Sequence, residues 1–300
     1  MRETRGGGPG PPDVEGWGID TRRTGLRRGG WTSALLAALV LALVGAPMAS
    51  ATTRPAPPPH PLVLVYGDSL VHEAMPYLPT VFRVARIPYR AVGASGGAVC
   101  DLLPAMRQDV GRRPTAVVIE FSGNALSACM RDSQGRPLEG QAWLDKYRWD
   151  TQTAIDLFRP TGAAVWLATA PMSFTAEKRG VDDVARLAAM ERDLAVGNGN
   201  VFVTDAAQSV LFDGHWTLTL PCLPNEPCTG TPDLMGQRQN QVRATDTAHF
   251  CPVPYPQLEN CPVHASGGLR YALGLTVPAL RRLGAWDPRR AVGSMAEGWP

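Results

Sequence analysis

Leu62-Val63-Leu64-Val65-Tyr66-Gly67-Asp68-Ser69-Leu70 is the stretch that decides the architecture. An unbroken aliphatic, β-branched and aromatic run stopped by a glycine reads as a buried strand ending in a tight turn. Such a turn presents the next hydroxyl at the edge of the sheet, where solvent and substrate meet it. Ser69 is that hydroxyl. Apolar runs recur at 89–92, 116–121, 163–168 and 200–204, and helix-period stretches separate them: one after Ser69, then 100–110, 141–158 and 181–194. Strands alternating with single helices imply right-handed crossovers and a parallel sheet covered on both faces. The expected fold is α/β, a three-layer sandwich, with a last helix over 265–283 packed back on the sheet.

Serine at its free pKa is a poor nucleophile, so chemistry at Ser69 needs an imidazole and a third group that holds the ring's tautomer. Asp246 and His249, three residues apart, offer both from one short turn. Gly96 and Asn124 also follow strands, and in a parallel sheet such positions converge on the carboxyl edge, where ligands bind. Each residue alone has a plainer reading. Ser69 suits a helix cap, Asn124 a turn, and Asp246 with His249 a surface pair.

Taken in order, four blocks resemble the SGNH hydrolases, also called GDSL esterases and lipases. They are Gly67-Asp68-Ser69-Leu70, the turn Ala94-Ser95-Gly96-Gly97-Ala98, Gly123-Asn124 after the third strand, and Asp246-Thr247-Ala248-His249. The resemblance covers nearly all of the chain after the leader and implies a flavodoxin-like fold with parallel sheet. It implies acyl transfer: Ser69 attacks an ester carbonyl, His249 takes its proton, Asp246 orients the ring, and water resolves the acyl-enzyme. The oxyanion hole it implies comprises the N–H groups of Ser69 and Gly96 and the amide of Asn124. Gly97 is the alternative to Gly96, which is preferred for its preceding serine and the small residue two positions on. One departure is Ala125, where the family pattern has an aspartate after the asparagine. The implied substrates are lipid, carbohydrate or simple esters, acyl or acetyl, with no metal or organic cofactor. Two other functions remain open: an O-acyltransferase acting on envelope polysaccharide, and a non-catalytic envelope binding protein.

The first 51 residues read as a disordered N-region, Gly- and Pro-rich over 1–20, and a signal peptide rather than core. Arg22, Arg23, Arg27 and Arg28 precede an apolar stretch over 34–44, and Ala49-Ser50-Ala51 supplies the small residues a signal peptidase needs. That stretch is shorter than the 18 or more residues of a spanning helix, so cleavage after Ala51 is expected, with an uncleaved anchor as the alternative. The protein is then secreted or held in the cell envelope, without a stable membrane span. A Pro-rich linker over 52–61 enters a single domain at 62–285, followed by a loose tail at 286–300. With 29 Lys and Arg against 27 Asp and Glu, and no basic block beyond the leader, nothing points to nucleic acid. The expected partner is a small-molecule or polysaccharide ester.

All 6 cysteines lie past the leader, and an even count in an exported chain suggests disulfides. No Cys-x-x-Cys pair supports zinc instead. Sequence does not dictate connectivity, but proximity along the chain suggests Cys100–Cys129, Cys222–Cys228 and Cys251–Cys261, the first tying the Gly96 loop to the Asn124 loop. Residues 206–262 lack periodicity and are expected to form a stapled lid, with Phe212, His215 and Trp216 as surface contacts. Trp143, Trp149 and Trp166 fall at core-like positions. Glu120 interrupts an apolar strand and needs a partner, such as Arg243 or a backbone donor. His60, His72, His215 and His264 are given no role.

Overall fold

The computed structural model describes residues 61–180, 182–224, 226–254 and 261–287. The leader at 1–51, and all but the inner ends of the linker at 52–61 and the tail at 286–300, lie outside them. Five parallel strands form the central sheet: β1 (Val63–Gly67), β2 (Tyr89–Gly93), β3 (Ala116–Glu120), β4 (Ala164–Ala168) and β5 (Val201–Thr204). Their order is β2-β1-β3-β4-β5, with Gly67 level with Gly93 on one side and Glu120 on the other. The chain leaves β1 toward one edge and returns to its other side, so a crevice opens outside the carboxyl ends of β1 and β3.

Every residue of β1, β3 and β4 is buried, as an uninterrupted apolar run predicts for inner parallel strands. The two-residue period sorts side chains between two helical layers. Val63, Val65, Val118 and Trp166 pack with α1 (Ser69–Ala74), α2 (Leu78–Ala85) and α7 (Ser266–Arg282). Leu64, Tyr66, Val117, Ile119, Val165 and Leu167 pack with α3 (Val99–Asp109), α4 (Gly140–Phe158) and α6 (Asp183–Gly197). The result is a three-layer α/β sandwich of flavodoxin-like strand order. On α4 the buried positions 143, 147, 151, 154, 155 and 158 trace one helical face. Fully burying side chains such as Phe158 and Tyr147 contributes roughly 1.5–3 kcal/mol each.

The strands and long helices fall within three residues of their expected bounds. One short helix was not expected: α5 (Phe174–Arg179), capped by Ser173 Oγ, which accepts the Ala176 N–H at 3.2 Å, and closed by Gly180 at φ 62°. Trp149 corrects another expectation. It is 72% exposed, on the outer face of α4, while Trp143 and Trp166 are buried.

The 206–262 segment is more structured than its sequence predicts. It contains a 3₁₀ turn (Ala206–Val210) and two small antiparallel ladders, β6 (Leu211–Phe212) with β7 (His215–Trp216) and β8 (Thr219–Pro221) with β9 (Gln239–Gln241). Its inner side packs on α7, where buried Glu226 accepts hydrogen bonds from Arg270 and Ser266, each at 2.9 Å. Disulfides join Cys100 to Cys129, Cys222 to Cys228 and Cys251 to Cys261, the pairs that proximity suggests.

Arg243 is not the partner of Glu120. Its guanidinium donates to the carbonyls of Ala248 at 3.0 Å and Met172 at 3.3 Å; the groups that face the Glu120 carboxyl are the Tyr271 hydroxyl and the Asp68 N–H. Complete burial, reinforced by the nearby Asp68 charge, pushes the Glu120 carboxyl well above the ordinary range.

Candidate active site

Three residues at the end of β1 build the first part of the site. A Cβ at Gly67 would collide with the Val71 side chain and the Glu120 carbonyl oxygen, so only glycine lets the chain turn here. Asp68 is fully buried and caps α1, its Oδ1 accepting the Leu70 N–H at 3.0 Å. Ser69 opens that helix and is 7% exposed.

The second part comes from one turn, 180 residues further on. His249 Nε2 lies 2.9 Å from Ser69 Oγ, and His249 Nδ1 lies 2.6 Å from Asp246 Oδ2. Asp246 Oδ1 also accepts the N–H groups of Ala248 and His249, at 2.9 and 3.0 Å. Burial raises its carboxyl, but these bonds, together with the one from the ring, outweigh that and hold it below the ordinary carboxylate range. The turn closes on itself through Ala244 N–H to the His249 carbonyl at 2.7 Å and Thr247 N–H to the Ala244 carbonyl at 3.0 Å. Thr247 adopts φ 69°, a left-handed conformation costly for a β-branched residue, and its carbonyl accepts the Trp216 indole N–H at 2.9 Å.

The Gly96 loop starts beside the Ser69 turn, since Ala94 N–H donates to the Gly67 carbonyl at 3.0 Å. Gly97 N–H is engaged with the Ala94 carbonyl at 2.8 Å, whereas Gly96 adopts φ 69°. Asn124 is oriented from both ends. Its Nδ2 donates to Asp68 Oδ2 at 2.9 Å, and its carbonyl accepts the Tyr147 hydroxyl at 2.8 Å. Asp68 Oδ2 further accepts Ser122 N–H at 2.7 Å and Ser122 Oγ at 2.5 Å. Asp68 therefore ties the loop after β3 to the Ser69 turn as well as capping α1. The Cys100–Cys129 disulfide links α3, which follows the Gly96 loop, to the segment after Asn124.

Several supports of the His249 turn had no signal in the sequence. Trp216, expected as a surface contact, is half-buried and braces Thr247. Phe212 and His215 are exposed as expected, His215 facing Glu177 at 3.1 Å. Arg243 holds the Ala248 carbonyl, and Glu73 binds the backbone just beyond His249. The Trp216 and Glu73 contacts join side chain to backbone across 31 and 177 positions, and the Arg243 contact spans five, none of which a spacing rule encodes. Among the described residues, the one group of His, Cys, Asp or Glu side chains close enough to share a metal ion is Cys100, Asp101 and Cys129, and its sulfurs are joined in a disulfide. No helix among the described residues is long and apolar enough to cross a membrane.

No protein-family model matches the chain, and neither does any curated protein. Among solved structures the chain is similar to a GDSL-like lipase from Bacteroides thetaiotaomicron, with 15% identity over 73% of this chain and 87% of that one and a TM-score of 0.45. It is also similar to Axe2, an acetylxylan esterase from Geobacillus stearothermophilus, with 14% identity over 76% and 95% and a TM-score of 0.44. Similarity at this level does not carry over either protein's activity.

Proposed function

We propose that this chain is an exported serine esterase of the SGNH type, hydrolysing acyl or acetyl esters of lipid or carbohydrate. The observation that carries the reading is the continuous relay from Ser69 Oγ through His249 to Asp246, at 2.9 and 2.6 Å. In the first half-reaction His249 Nε2 takes the Ser69 proton as Oγ bonds to the ester carbon, and the carbonyl oxygen becomes an oxyanion. Gly96 N–H, Ser69 N–H and the Asn124 amide are the donors assigned to it. The imidazolium, held by Asp246, then gives its proton to the departing alcohol, leaving an acyl-serine. Water repeats the sequence through the same base and releases the acid. The leader over 1–51 supports export, and the mature protein is expected to begin at Thr52.

The test is hydrolysis of p-nitrophenyl esters of increasing chain length by the mature protein, with a fluorophosphonate label to locate the nucleophile. Label on Ser69, with turnover reduced at least 1000-fold in Ser69→Ala, is the expected result. Turnover that persists in Ser69→Ala removes the nucleophile assignment, and chain-length preference narrows the acyl group.

A further inference from the structure

A second carboxylate touches the base's segment, from the same helix as the nucleophile. Glu73 lies four residues after Ser69, one turn along α1, and is 4% exposed. Its Oε2 accepts the Phe250 N–H at 2.6 Å and its Oε1 faces the Cys251 N–H at 3.3 Å. Phe250 and Cys251 directly follow His249. The helix that carries the hydroxyl therefore grips the backbone that carries the imidazole, through two N–H groups and one side chain. The regular ladder of the 206–262 segment ends at Gln241, so no sheet holds the chain here.

The choice of a carboxylate has a physical reason. Burying one is costly unless its oxygens are bonded, and burial does push the Glu73 carboxyl above its ordinary range, against the pull of the two N–H groups and the His249 charge. A glutamine offers one acceptor, and its amide hydrogens would oppose the second N–H. Asp246, His249 and Arg243 lie within electrostatic reach, and Tyr77 and His264 line with Glu73 a cavity of about 140 Å³. Resting on the esterase reading above, we propose that Glu73 is a positioning residue that sets His249 against Ser69 by binding the Phe250 and Cys251 N–H groups.

The experiment compares Glu73→Gln with the wild-type chain for kcat and KM on p-nitrophenyl acetate, for the rate of fluorophosphonate labelling of Ser69, and for fold by near-ultraviolet circular dichroism. A displacement of about 1 Å at the base is expected to lower kcat and the labelling rate together by about 10-fold to 100-fold, with KM changed less than about threefold. A purely structural role would lower the melting temperature and leave kcat of the folded protein intact, which overturns the proposal. If Glu73→Gln does not fold, Glu73→Asp decides by the same split, since it keeps the charge but is one methylene short of both N–H groups. Ser69→Ala is assayed alongside. If it is inactive while a folded Glu73 variant runs at the wild-type rate, only the positioning role falls. If it keeps full turnover, the esterase reading falls and the proposal with it.

Discussion

Ser69 and His249 meet at 2.9 Å, yet the two regions that deliver them are held by different forces. Behind Ser69, β1 is paired on both sides and packed above and below by aliphatic side chains, so its position follows from ladder geometry and close packing. Behind His249 stand two short ladders, two disulfides, the Glu226–Arg270 pair and the polar supports Arg243, Trp216 and Glu73. Apolar packing is indifferent to pH and redox state, whereas ion pairs and disulfides respond to both. Apolar packing dominates around Ser69, with the Cys100–Cys129 disulfide and Asp68 tying its neighbouring loops, while polar and covalent links dominate around His249.

The largest effect expected on stability breaks the His249 side. Arg270→Met removes the guanidinium paired with buried Glu226 at 2.9 Å, leaving His264 at 3.7 Å, and urea unfolding should show a loss of about 3–5 kcal/mol. A loss under about 1 kcal/mol would mean that the segment does not depend on the pair. On the sheet side, Asn124→Ala removes a donor without disturbing the ladder. Its kcat should fall about 100-fold to 1000-fold while its melting temperature moves little, and a wild-type kcat would take Asn124 out of the site.

The disulfides sharpen the contrast through loop length. Replacing Cys100 and Cys129 by serine opens a 29-residue separation and should cost about 3–4 kcal/mol, against about 2 kcal/mol for Cys222 and Cys228 with a separation of 6. Equal costs in unfolding titrations would show that chain entropy is not what these bonds supply.

The smallest effect concerns two buried carboxyls shifted in opposite directions. Burial raises Glu226, but His264, the Leu223 N–H, Arg270 and Ser266 outweigh it, so its net shift is downward; its contribution is present above about pH 4.3 and is lost as pH falls through its folded value. Glu120 is shifted upward, so its contribution is present below about pH 4.3 and is lost as pH rises through its folded value. Glu120→Gln should therefore stabilise the protein by about 1 kcal/mol at pH 7, and the gain should disappear toward pH 4. A gain that does not vary with pH would contradict the shift.

Periodicity and turn chemistry were enough to read β1 through β5, the helices between them and the convergence of Ser69, Gly96 and Asn124 on one edge, because those features follow from local spacing and crossover handedness. Short α5 and the two-residue strands β6 and β7 carry too few residues to show a period. Trp149 and Trp216 were misread for a related reason: residue type alone does not say which face of α4 a tryptophan occupies, nor that an indole N–H will find a carbonyl 31 positions away. Glu120 had a plausible cation in Arg243, and only packing sent that guanidinium to Ala248 and Met172 instead.

The chain's own order of residues determined a parallel sheet, a hydroxyl at the end of its first strand and a carboxylate and imidazole within one turn. Local backbone sterics and hydrophobic burial act over a few residues and leave a readable pattern. Tertiary structure alone decided that Asp68 orients Asn124 and that Glu73 grips the backbone after His249. Such bonds join groups 56 and 177 positions apart, and they form only after the core has brought those positions together.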